Sequence, residues 1–139
     1  MSNAASFLEK WHAAVKHSDM DLLSTIVAED ASLLSPAFWK PREGKDKVLM
    51  VLAAVTDTFE GLTYTKEWVD GNELILEFST SVGGKQMKGI DRITLDENGK
   101  LKEIEVLIRP MNGLMALAAA LDERLKGIAD KKHRFSDTA

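Results

Sequence analysis

Residues 73–110, ELILEFSTSVGGKQMKGIDRITLDENGKLKEIEVLIRP, alternate apolar and polar side chains between short breaks that carry glycine. A period of two marks a half-buried strand. The segments of about 73–82, 86–95 and 101–109 meet at Gly83-Gly84-Lys85 and at Asp96-Glu97-Asn98-Gly99, and a strand of about 62–69 precedes them across Asp70-Gly71-Asn72. Each break holds residues that tolerate positive φ, as tight hairpins require. Four strands on short turns make an antiparallel meander. In the strand 86–95, Met87, Gly89, Asp91, Ile93 and Leu95 share one face, while Lys88, Ile90, Arg92 and Thr94 share the other. The lysine and arginine mark the watered side, so Asp91 is expected to point inward. A carboxylate there is costly unless it is paired, hydrogen-bonded or protonated.

Upstream the apolar spacing is helical. Phe7, Leu8, Trp11, Ala14 and Val15 make the stripe of a helix over 4–17. Ser18 or Asp19 caps a second over about 20–28, with Leu22, Leu23, Ile26 and Val27 on its apolar face. Ala31 to Ser35 reads as a short strand stopped by Pro36. Residues 36–44, with two prolines, a glycine and the adjacent aromatics Phe38 and Trp39, read as a loop. A third helix is expected over about 45–58. A last one follows Pro110, with Leu114, Leu117, Leu121, Leu125 and Ile128 on its stripe. The tail Asp130–Ala139 has no apolar pattern, so the folded core is expected over about 5–128 of one 139-residue domain. The fold class is α+β, a curved antiparallel sheet wrapped by helices into a cone with an internal pocket.

Bulk properties narrow the function. The net charge of -4 argues against a nucleic-acid partner. With no cysteine there is no disulfide, thiol nucleophile or zinc-thiolate site, which fits a cytoplasmic location. No apolar run reaches the roughly 20 residues of a membrane span, and the start does not read as a signal peptide, so no membrane partner is expected. The histidines His12, His17 and His133 are scattered, and no metal is expected.

The order of elements resembles the nuclear-transport-factor-2-like (cystatin-like) superfamily, and within it the SnoaL-like polyketide cyclase group. The residues that carry the likeness are Trp11, Asp30-Ala31, Gly44-Lys45, Gly89-Ile90-Asp91, Asp96 to Lys100, Arg109-Pro110 and Gly113-Leu114, over about residues 5–128. The resemblance implies a cofactor-independent enzyme of cyclase, isomerase or hydrolase type, with an inward strand aspartate as acid/base; Asp91 holds the matching position. It also implies a homodimer formed through the outer sheet face, where Ile75 and Ile90 lie among polar residues. The tyrosine of the steroid-isomerase members is expected in the first helix, whereas Tyr64 lies in a strand. The Asp-Arg-Asp set of the epoxide hydrolases lacks its third member here.

Each candidate has a bland alternative. Asp91 is either a proton-transfer group in an apolar pocket or a structural aspartate held by a cation or backbone amides. Arg109 either binds a ligand oxygen or, by alternation with Ile104, Val106 and Ile108, faces out. His12 borders the buried helix stripe and either exchanges protons with a ligand or sits as a satisfied boundary histidine. Tyr64 shares a strand face with Leu62 and Trp68 under strict alternation, so its hydroxyl reaches the cavity and, with His12, offers a hydrogen bond to a developing oxyanion. Trp11, Phe38, Trp39 and Trp68 line the pocket or pack the core. The expected ligand is a small apolar molecule. Beside the enzyme reading stand two others: a binding module without chemistry, and a dimerising scaffold packed shut.

Overall fold

A computed structural model describes residues 3–131. Its elements run α1 (Asn3–His17), α2 (Met20–Ser24), β1 (Val27–Leu34), β2 (Arg42–Glu43), α3 (Lys45–Thr58), β3 (Glu60–Asp70), β4 (Glu73–Val82), β5 (Lys85–Leu95), β6 (Leu101–Arg109) and α4 (Met111–Lys131). The strands form one curved, open sheet in the order β2-β1-β6-β5-β4-β3. Strands β3 to β6 make the expected antiparallel meander. The alternation in β5 places Met87, Gly89, Asp91, Ile93 and Leu95 on the buried face and leaves Lys88 and Arg92 exposed.

The upstream strand is longer than expected. Helix α2 stops at Ser24, and β1 begins at Val27 rather than at Ala31. Asp19 caps α2, its side chain accepting the Leu22 N–H at 3.0 Å. The Leu101 N–H then donates to the Ile26 carbonyl at 2.8 Å, and β1 runs parallel to β6. That pairing claims Val27 and Ala28 for the sheet, overriding a local pattern equally compatible with helix. The expected loop 36–44 also contains β2, which pairs antiparallel with β1 at Ser32 and Leu33.

Helices α1, α3 and α4 cover the concave face. One core cluster joins Phe7 and Trp11 of α1 and Val48 and Leu52 of α3 to Leu33, Leu76, Ile93 and Ile104 of the sheet. A second joins Leu117 and Leu121 of α4 to Ala54, Val82 and Met87. Two glycines permit close approaches. A Cβ on Gly89 would lie 2.5 Å from the Leu107 carbonyl oxygen and 2.7 Å from Phe78 Cζ; one on Gly113 would lie 2.9 Å from Met87 Cβ and 3.0 Å from the Gln86 carbonyl oxygen. The first lets the Phe78 ring lie across β5, and the second seats the start of α4 on β5. Helix α4 continues to Lys131, past the expected core limit; residues 132–139 of the expected tail, and the side chain of Ile128, lie outside what is described. No described helix is long and apolar enough to cross a membrane.

Candidate functional site

Strand β3 decides which side chains enter the cone. Its pairing with β4 runs Thr63↔Ser79 and Tyr64↔Phe78, then shifts to Lys66↔Glu77, Glu67↔Leu76 and Trp68↔Ile75. The extra residue, Thr65, forms a bulge, and the parity of the strand inverts beyond it. Tyr64, opposite the buried Phe78, faces in. Trp68, opposite Ile75, faces out, is 43% exposed and has the Lys66 ammonium 4.9 Å from its ring centroid. Strict alternation placed Trp68 beside Tyr64; the bulge moves it to the outer face and turns Glu67 inward instead.

Tyr64 and Asp91 meet at the polar end of an otherwise apolar cavity between the two core clusters. The Tyr64 hydroxyl donates to Asp91 Oδ2 at 3.1 Å, and Trp11 Nε1–H donates to the Tyr64 oxygen at 3.1 Å. An indole N–H can only donate. The phenol oxygen therefore accepts from Trp11 and commits its one proton to Asp91. Asp91 is 6% exposed, and burial pushes its carboxyl up from 3.8 to about 7, with the Tyr64 hydrogen bond pulling the other way. Burial, and secondarily the charge of Asp91, hold the Tyr64 phenol well above its ordinary value of 10, so it stays a neutral donor at physiological pH. Among the described residues no sealed side-chain nitrogen or oxygen lacks a partner. Among the described residues nothing bonds Asp91 Oδ1, which is open to the cavity.

The cavity has a volume of about 60 Å³. Val51, Leu52 and Val55 of α3, Val106 of β6, and Leu114 and Leu117 of α4 supply much of its wall. An outer cleft lined by His12, Lys16 and Ser18 shares Val15, Phe59, Leu62 and Tyr64 with it as a partition.

Of the residues singled out in the sequence, Trp11, Tyr64 and Asp91 come together here. His12 lies on the cleft side of Tyr64, its ring centroid 4.9 Å away edge-on, and its Nε2 contacts the Glu67 carboxylate. Four others lie elsewhere. Trp39 is 95% exposed. Phe38 is half-buried, with the Arg42 guanidinium 5.5 Å from its ring centroid. Trp68 is outside for the reason given. Arg109 pairs with Lys88 in the ladder and is exposed, as alternation with Ile108 requires, so it reaches neither the cavity nor Asp91. The inward turn of Glu67 was invisible to strict alternation. A strand with one residue too many for its partner, between the constrained ends Tyr64 and Trp68, was the available signal.

Comparison with known proteins agrees with the fold. A family model described as a SnoaL-like domain matches residues 8–104. No curated protein matches the chain. Among solved structures, a steroid delta-isomerase from Pseudomonas aeruginosa is 36% identical, with a TM-score of 0.89 over 94% of this chain and 96% of that one. A conserved bacterial protein with a cystatin-like fold from Silicibacter pomeroyi DSS-3 is 30% identical, with a TM-score of 0.86 over 91% and 90%. A de novo designed protein with a curved β-sheet is 21% identical, with a TM-score of 0.68 over 84% and 97%, a likeness of fold alone.

Proposed function

The chain belongs to the SnoaL-like domain family, and on that premise we propose that it shifts a proton within a small, largely apolar carbonyl compound, with Asp91 as the acid/base. The observation that carries the reading is a carboxyl buried among hydrocarbon and titrating near 7, with one oxygen held by Tyr64 and the other open. Such a group is divided between its two forms at neutral pH, where proton transfer in both directions is most effective. The likeness to a protein described as a steroid delta-isomerase supports a proton shift rather than hydrolysis.

Ionised Asp91 takes a proton from the carbon next to the carbonyl. The C–H electron pair moves into the conjugated system and leaves an enolate, and the neutral carboxyl just formed hydrogen-bonds the enolate oxygen. The same proton then returns to the far carbon of the enolate, so the double bond moves and the carboxylate is restored. Tyr64 keeps Asp91 Oδ2 in place throughout, and the apolar wall excludes competing water.

The test is conversion of the β,γ isomer of cyclohexenone to the conjugated enone, followed by ultraviolet absorbance. The wild type is expected to accelerate it, and Asp91→Asn to remove about 100-fold or more of that acceleration, the usual share of a positioned acid/base. An Asp91→Asn protein that folds and isomerises as fast as the wild type would refute the role given to Asp91.

A further inference from the structure

The polar atoms that line the cavity are almost all spent. Trp11 N–H goes to Tyr64, and the Tyr64 hydroxyl to Asp91 Oδ2. The Thr56 hydroxyl donates to the Leu52 carbonyl at 2.8 Å. Ser35 Oγ accepts the Ala37 N–H at 3.0 Å in an exposed turn at the margin. The β4–β5 and β5–β6 ladders engage the sheet backbone behind the site. What remains for a ligand deep within the apolar wall is one oxygen, Asp91 Oδ1; the Ser35 hydroxyl proton is left over only at the exposed margin. No lysine, arginine or histidine is in the lining. The volume of about 60 Å³ lies well below the roughly 300 Å³ at which ordinary ligand pockets begin, so a ligand confined to it is small, on the scale of a single ring.

From this inventory we infer that the cavity takes a neutral, monocyclic ligand with a single hydrogen-bonding oxygen at one end, a simple cyclic ketone rather than a polyoxygenated, charged or steroid-sized molecule. The inference rests on the function proposed above and narrows its substrate class. A second ligand oxygen buried against Leu114, Leu117 or Val51 meets no partner and forfeits its hydration. A carboxylate meets no cation and lies near a second carboxyl. A fused-ring skeleton has to displace the partition of Val15, Phe59 and Leu62 and extend into the outer cleft.

The experiment measures binding without turnover, by the shift of the Asp91 carboxyl-carbon NMR signal and by quenching of tryptophan fluorescence. The probes are cyclohexanone, cyclohexanedione, cyclohexanecarboxylate and androstenedione. Cyclohexanone is expected to bind at millimolar concentration or below, and the dione and carboxylate at least about 10-fold more weakly, the discrimination that one unpaired buried polar group confers. Androstenedione is expected not to bind. Asp91→Leu, which keeps the wall apolar, should abolish the preference for cyclohexanone over methylcyclohexane; Asp91→Asn, which keeps a donor, should retain it. Failure of cyclohexanone to bind, binding of the dione or androstenedione as tight as that of cyclohexanone, or a preference unchanged in Asp91→Leu overturns the inference. The expected binding order without isomerisation would leave the ligand class standing and remove the proposed function. Isomerisation with indifferent binding would do the reverse.

Discussion

In the structure Tyr64 orients Asp91, and in the proposed reaction it does no more than that. With Trp11 N–H on its oxygen, its proton has one destination, and the bond to Asp91 favours the ionised carboxylate. Asp91 stands near 7 because desolvation outweighs that bond. Removing the bond therefore moves it further: in Tyr64→Phe the Asp91 carboxyl is expected to titrate above about 7, followed by carboxyl-carbon NMR. An unchanged or lower value would show that Tyr64 does not set the carboxyl. Asp91 itself was readable from the chain, because four apolar or small neighbours at period two leave a carboxylate nowhere else to point. Its partner was only half readable. Tyr64 was placed inward, but its bond to Trp11 joins a strand to a helix 53 positions away, and no local pattern encodes that pairing.

Strands β5 and β6 pair closely beside Asp91 because position 89 lacks a side chain. A Cβ there meets the Leu107 carbonyl oxygen at 2.5 Å, and a backbone atom in a ladder cannot yield cheaply. Gly89→Ala is expected to destabilise the fold by about 1–3 kcal/mol, as overpacking does; urea unfolding measures the loss. A neutral result would mean that the sheet relaxes more freely than its packing implies. Helix α3 and the hairpins came out where periodicity and turn residues put them. Strand β1 and the outer half of β3 did not. In β1, pairing with β6 outvoted a helical spacing; in β3, a bulge at Thr65 reversed every later side chain. Both are decided by a partner strand rather than by the segment's own residues.

Folding and pH are coupled through the cavity. In the unfolded chain Asp91 ionises near 3.8, and in the folded chain near 7. Between these values the folded state binds a proton that the unfolded state has released, so this contribution to stability is whole below about 3.8 and is lost as pH rises through about 7. Asp91→Asn lacks the linkage. The unfolding free energy of the wild type relative to Asp91→Asn is therefore expected to fall by roughly 4 kcal/mol across that window, measured by urea unfolding at successive pH values. A difference that stays flat would mean that Asp91 is not desolvated in the fold.

The division between chain and fold follows from the range of the forces. Composition, hydropathic period and turn chemistry act over a few residues, and they were enough for the α+β class, the meander, the helical cover and the inward aspartate. The cavity wall draws on α1, α3, α4 and strands far apart in sequence, and its volume is what the packing of these elements leaves open. Whether Asp91 finds a cation or a phenol, whether Trp68 and Trp39 face water, and how much room a ligand has all depend on long-range packing and register. Arg109 shows the boundary. Its residue type invited a pairing with Asp91, alternation with Ile108 pointed it outward, and the β5–β6 register, which sets it beside Lys88 on the opposite face, keeps it there.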